Sequence, residues 1–197
     1  MKYILSLTLL LVSFGSFSQT STADITSMKG ERKAGIYYKD TLNYLNPFEG
    51  TWRYTNGTTS IKMVLVKKKT YNSGYYEDMI VGEYQYIENG VEKINTLSDI
   101  NTVYPNQIQH TINGNTLISP TSRPVCADCA TDVKRLRLSL SETGSFGSIV
   151  ARRVIENGQE AIQIRLGRHH GIAFVEGTTP PPEVPVLQSG DYVLIKQ

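Results

Sequence analysis

The chain has 197 residues, 40% hydrophobic and 19% charged, with 20 Lys and Arg against 18 Asp and Glu for a formal charge of +2. So small a charge excludes the electrostatic footprint of a nucleic-acid or anionic-membrane binder. A chain this long builds a full core in one domain without covalent staples.

The first segment reads as an export signal over residues 1–18. Lys2 supplies a basic start, Ile4 to Val12 a short apolar run, and Ser16-Phe17-Ser18 a small-x-small cleavage site. The apolar run is far below the roughly 20 residues of a membrane helix, and no later stretch reaches that length. Export to the periplasm or the extracellular space is therefore expected. Residues 19–35 are polar and aperiodic and are expected to form a flexible leader, leaving residues 36–197 as a single domain.

Tyr37-Tyr38-Lys39-Asp40 opens that domain, and Asp40 to Leu45 has room for one helical turn before Pro47. Asn46-Pro47-Phe48-Glu49-Gly50-Thr51-Trp52 follows and carries the only Trp of the chain. From there the punctuation is regular. Asn-Gly recurs at Asn56-Gly57, Asn89-Gly90, Asn113-Gly114 and Asn157-Gly158, each between runs of strand formers. Asn-Gly supplies the two positive-φ positions of a type I′ hairpin turn, so about four hairpins and about eight strands are predicted.

The flanks alternate as half-buried strands do. Ile61, Met63 and Leu65 face one way; Leu136, Leu138 and Leu140 alternate with Arg135, Arg137 and Ser139; Ile162, Ile164 and Leu166 alternate with Gln163 and Arg165. Lys67-Lys68-Lys69 reads as a solubilising strand end. Breaks fall at Tyr71 to Gly74, Ser119 to Asp132 and Gly177 to Pro185, before a last strand from Tyr192 to Lys196. So many hairpins in one all-β domain must dispose of their edges. Closure into an antiparallel barrel of about 8–10 strands does so, and a two-sheet β-sandwich is the alternative.

Gly50-x-Trp52 at the start of the first long strand resembles the N-terminal signature of lipocalin-type (calycin-type) barrels. That resemblance implies a Trp plugging the closed end, with a basic residue from the last strands over it: Arg165, Arg168 or Lys196. Tyr37 to Asp40, Asn46 to Trp52 and Gly82-Glu83-Tyr84-Gln85-Tyr86-Ile87-Glu88-Asn89-Gly90 resemble a family of small secreted Bacteroidetes-type proteins, grouped as a domain of unknown function. That likeness implies export and a shared fold, with no activity attached.

Chemistry-bearing motifs are few. Cys126-Ala127-Asp128-Cys129 lies in a Pro-flanked loop without the strand-helix context of a redox CxxC, so in an oxidising compartment a local disulfide is expected. His169-His170 diverge on a strand, and with His110 they lack zinc-finger spacing. Gly144-Ser145-Phe146-Gly147-Ser148 lacks a nucleophile elbow and reads as a loop. Glu77-Asp78 read as a solvated face. No catalytic residue, metal or cofactor is assigned.

Tyrosine is the more telling signal, with 12 Tyr against 5 Phe. Trp52 and Tyr54 share one strand face, as do Tyr84 and Tyr86, so inward orientation gives a cavity both stacking surface and hydroxyl groups. The reading that follows is a binding module holding a small apolar or amphipathic ligand against Trp52, Tyr54, Tyr84 and Tyr86. The alternative is a cell-envelope interaction protein acting through its surface.

Overall fold

A computed structural model describes residues 20–27, 32–142, 145–169 and 187–197. The expected signal segment 1–18 lies outside these residues. The described part is built from eleven strands, with no α-helix and only short 3-10 turns.

In chain order the strands are β1 (Ser21–Asp24), β2 (Ile36–Lys39), β3 (Gly50–Asn56), β4 (Thr59–Asn72), β5 (Tyr75–Glu88) and β6 (Val91–Asn95). They continue as β7 (Ile112–Ile118), β8 (Arg135–Glu142), β9 (Ser145–Glu156), β10 (Gln159–His169) and β11 (Gly190–Lys196). Neighbours run β5-β4-β3-β11-β10-β9-β8-β7, and a β5–β7 pairing closes the ring. The result is an eight-stranded antiparallel barrel with three extra strands, as the hairpin pattern predicts, and not a sandwich.

Closure uses only one stretch of β5. Its opposite edge carries β4 along its length, while the closing edge serves three partners in turn. Parallel β2 meets Tyr76 and Glu77, β7 meets Ile80 to Gly82, and β6 meets Gln85 to Glu88. Ser21–Asp24, within the expected leader, adds to β2 as β1.

The turn signals resolve individually. Asn89-Gly90 and Asn157-Gly158 carry φ of 52° and 78°, and of 51° and 79°, as type I′ turns require. At the first hairpin Asn56 ends β3 and the turn shifts to Gly57-Thr58. The fourth Asn-Gly is no turn. Asn113-Gly114 sits inside β7 at a register shift against β8, and a Cβ on Gly114 would lie 2.9 Å from Arg137 O. Glycine is needed there for close strand approach at a bulge.

The helical turn expected at Asp40 to Leu45 forms instead at Asn46–Phe48, with Pro47 in its first turn, where a missing N–H costs nothing. Asp40 holds the preceding bend by accepting the Tyr44 and Leu45 amides at 2.8 and 2.9 Å. Inside the barrel, Trp52, Ile61, Met63, Leu65, Tyr84, Leu136, Leu138, Ile149, Ile162, Ile164 and Leu194 form one buried cluster.

Candidate ligand site in the barrel

Strand directions define two ends. The start of β3, the β9–β10 turn and the end of β11 gather at one end. The β3–β4 and β5–β6 turns, the end of β8 and the start of β11 gather at the other.

The first end is closed by Trp52. Its ring is fully buried, its Nε1–H donates to Phe48 O at 2.9 Å, and the Asn46–Phe48 turn lies across the opening. Gly50 holds φ 137°, a conformation that side-chain-bearing residues rarely adopt, and packs in ordinary contact range of Lys196 Cε and the indole. This explains the Gly-x-Trp spacing: the glycine lets the chain turn inward tightly beneath the ring.

Two cations cover the indole, with Arg153 Cζ at 5.4 Å and Lys196 Nζ at 5.7 Å from its centroid. Lys196 is one of the three expected residues. Arg165 instead pairs with Asp191 on the outer wall, and Arg168 lies at the opposite end. Sequence reasoning missed Arg153, although it shares strand parity with inward Ile149 and Ala151. Glu160 bridges both cations at 3.0 and 2.7 Å, and those hydrogen bonds, Lys196 first, hold its carboxyl below the usual range.

The other end is lined by tyrosines. Tyr54 meets Tyr192 edge-on at 5.2 Å, and both are partly buried. Tyr86 donates to Glu88 Oε1 at 2.8 Å; burial, then that hydrogen bond and the Glu88 charge, push its phenol up to about 12. Tyr192 donates to Gln188 O at 2.8 Å, and burial raises its phenol too. Tyr84 is fully buried, and its hydroxyl has no hydrogen-bond partner among the described residues.

Arg168 and Glu142, which share the inward parity of their strands, form an ion pair with 3% and 8% side-chain exposure. Arg168 also donates to Leu187 O at 2.7 Å and Ser145 Oγ at 2.9 Å. Arg168 Nη2 and Glu142 Oε1 are buried without hydrogen-bond partners among the described residues.

Of the four expected ligand residues, Tyr54, Tyr84 and Tyr86 therefore share the inner wall with Tyr192, while Trp52 is the plug of the closed end. Tyr192, Arg168 and Glu142 join the set. The strand parity of Leu166 and Leu140 extends to Arg168 and Glu142 and was the available signal.

Two polar clusters lie outside the barrel. Glu77 and Asp78 are buried, against the solvated face expected, because the N-terminal arm covers them. Glu77 pairs with Arg32 at 3.0 Å and accepts from Asn115 at 2.8 Å; Asp78 accepts from Tyr37 at 2.5 Å and from Asp40 N at 2.9 Å. Burial first, and Asp78 second, raise the Tyr37 phenol. His110 Nδ1 lies 2.8 Å from Glu83 Oε1 and its Nε2 3.2 Å from Lys68 Nζ, which donates to Ile100 O at 2.9 Å. This network ties loop 96–111 to the outer wall. The side chain of His169 and all of His170 lie outside the described residues.

Cys126 and Cys129 form the expected disulfide. The loop holding it lies over the outer wall, where Arg135 is buried rather than wet. Arg135 donates to the carbonyls of Pro124, Ser119, Ser122 and Pro120 at 2.5, 2.6, 2.8 and 3.3 Å. Beside it a shallow pocket is lined by Cys126, Asp128, Arg135, Arg152, Gln163 and Arg165, among others. Cys126, Asp128 and Cys129 have potential ligand atoms within 4.8 Å of one another, but both sulfurs are committed to the disulfide.

These features define a closed antiparallel barrel of lipocalin-like type, plugged at one end by Trp and lined with tyrosine at the other. The chain belongs to the family of unknown function DUF6705, whose model matches residues 1–197. No curated protein and no solved structure matches it. Among the described residues no helix is long and apolar enough to cross a membrane.

Proposed function

We propose that this protein is an exported carrier that holds one small, partly apolar ligand in the open half of its barrel. Tyr54, Tyr84 and Tyr86 supply the wall, Tyr192 the rim, and Trp52 the floor. The Tyr84 hydroxyl carries this reading: it is fully buried and has no hydrogen-bond partner among the described residues. A buried polar group left unpaired costs about 1–3 kcal/mol, and folded proteins rarely keep one. A ligand with a polar group among its apolar atoms would pair it, and the open valences of Arg168 and Glu142 favour such a group. The disulfide supports export, since such bonds persist in oxidising compartments.

Native mass spectrometry of protein purified gently from its own host's envelope tests this. The expected result is a reproducible extra mass, lost on denaturation and reduced in occupancy by Tyr84→Phe. The same substitution is expected to leave the stability of the empty barrel unchanged or raise it by up to about 1 kcal/mol. An empty wild-type barrel that Tyr84→Phe destabilises by more than about 1 kcal/mol would make the hydroxyl structural and overturn the reading.

A second reading, interaction through the outer surface, draws on Tyr71 and Tyr76. They are half exposed and 5.2 Å apart, with Lys69 Nζ 4.3 Å from the Tyr76 and Tyr37 rings. Tyr71→Ser with Tyr76→Ser separates the two: loss of envelope association with ligand mass intact favours the surface.

A further inference from the structure

We infer that the Cys126–Cys129 disulfide is a thiol–disulfide exchange site, accepting electrons from an exposed dithiol on another molecule. A bond whose only task is to hold the loop is redundant here. Arg135 already fastens the loop through four carbonyls, Arg137 donates to Arg123 O, and Cys126 N donates to Pro120 O at 2.9 Å. Closing so short a loop contributes about 2 kcal/mol at most on the chain-entropy model.

What surrounds the sulfurs is chemical. Arg152 Nη1 lies 3.1 Å from Cys126 Sγ and 3.3 Å from Cys129 Sγ, with Nε fixed by Gln163 at 2.7 Å and Nη2 by Asp128 at 2.6 Å. A cation beside a sulfur lowers its thiol pKa, and stabilising the reduced form makes the disulfide easier to reduce. The same guanidinium opposes a divalent cation at Cys126, Asp128 and Cys129.

The two sulfurs differ. Cys126 borders the pocket, and its Sγ lies 3.3 Å from Asp128 Oδ1, so after opening it is the thiol that donates its proton there. Arg152 Nη1 serves both sulfurs almost equally, at 3.1 Å from Cys126 and 3.3 Å from Cys129, so it is the Asp128 carboxylate facing Cys126 that leaves Cys129 as the thiolate. An incoming thiolate thus bonds to Cys126 Sγ, the Cys126–Cys129 bond breaks, and its electron pair leaves on Cys129 beside Arg152. The partner's second thiol, its proton lost to solvent, attacks the partner sulfur of the mixed disulfide and releases Cys126, which takes up a proton. Two electrons pass to this protein and the partner leaves as a disulfide.

The full mature chain, equilibrated in glutathione buffers and then alkylated across pH, tests this. The expected wild-type profile shows one thiol reacting with a pKa clearly below the ordinary 8.5. Arg152→Gln should cut alkylation near pH 6.5 about tenfold and shift the equilibrium about tenfold towards the disulfide, while Arg152→Lys restores most of both. Cys129→Ser should accumulate a mixed disulfide at Cys126 with oxidised glutathione, the Cys126 thiolate bonding to one glutathione sulfur while the other leaves as a thiolate. Reduction should leave the barrel's thermal transition nearly in place. A pH profile unchanged by Arg152→Gln, or a barrel that unfolds on reduction, would overturn the inference and return the bond to a purely structural role.

Discussion

At the closed end of the barrel, Arg153, Lys196 and Glu160 keep 28%, 40% and 50% of their side chains exposed while sitting over the Trp52 ring. At the opposite end, Arg168 and Glu142 are withdrawn to 3% and 8%. Charges that stay half wet cost little and add cation–π attraction to a plug that is apolar in itself. A buried pair loses its hydration, and here each partner also keeps one buried polar atom unmatched. The closed end has one such atom, Arg153 Nε, and its other polar groups serve the plug. One end is arranged for stability, and the other retains hydrogen-bonding capacity that the described residues do not use.

The largest expected effect belongs to the plug. Trp52→Ala should destabilise the barrel by about 3–5 kcal/mol in denaturant unfolding, through lost burial and the cavity left behind. A loss below about 1 kcal/mol would show that closure does not depend on the ring.

That organising role was legible in the sequence because Gly50-x-Trp52 encodes a local geometry, as Asn89-Gly90 and Asn157-Gly158 do. Asn113-Gly114 carries the same conformational signal but sits where two strands approach closely, so only the neighbouring strand distinguishes bulge from turn. Glu77, Asp78 and Arg135 read as exposed because their covers, the N-terminal arm and loop 119–134, come from distant chain segments. Among the site residues, Tyr84 and Tyr86 could be paired by parity alone. Their separation from Trp52 along the barrel axis could not, since parity gives the face and not the height.

At the tyrosine-lined end, Arg168→Met should cost about 3 kcal/mol, because Glu142 is left buried without its cation. Arg168→Met combined with Glu142→Leu should recover most of that loss in the same unfolding measurement. If the double variant stays as unstable as the single one, the pair holds the rim through Leu187 O and Ser145 Oγ instead. Lys196→Met should be milder, about 0.5–1 kcal/mol, since the lost cation is partly solvated and Arg153 stays over the ring. A larger loss would mean that the closed end depends on its charges after all.

The smallest effect concerns alkaline pH. Tyr86 titrates near 12 in the folded protein, against about 10 for an unhindered phenol. The fold favours its neutral form, so that contribution to stability is complete below about pH 10 and fades as pH rises towards 12. Stability measured from pH 9 to 12 should fall less steeply in Tyr86→Phe than in the wild type. Identical slopes would place the rim phenol in ordinary solvent.

The sharing of one β5 edge among β2, β7 and β6 has a consequence for the order in which the molecule assembles. The β4–β5 hairpin forms from neighbours in the chain, as do β8–β9 and β9–β10, whereas β7 must find a short stretch of β5 between two other claimants. Pairings local in sequence form early and non-local ones late. The ladder from Ile80 to Gly82 is therefore expected to zip later than those hairpins, ahead of the still less local β3–β11 pairing of Trp52 with Lys196 and Arg53 with Ile195. Its amides should exchange with solvent sooner than those between β9 and β10.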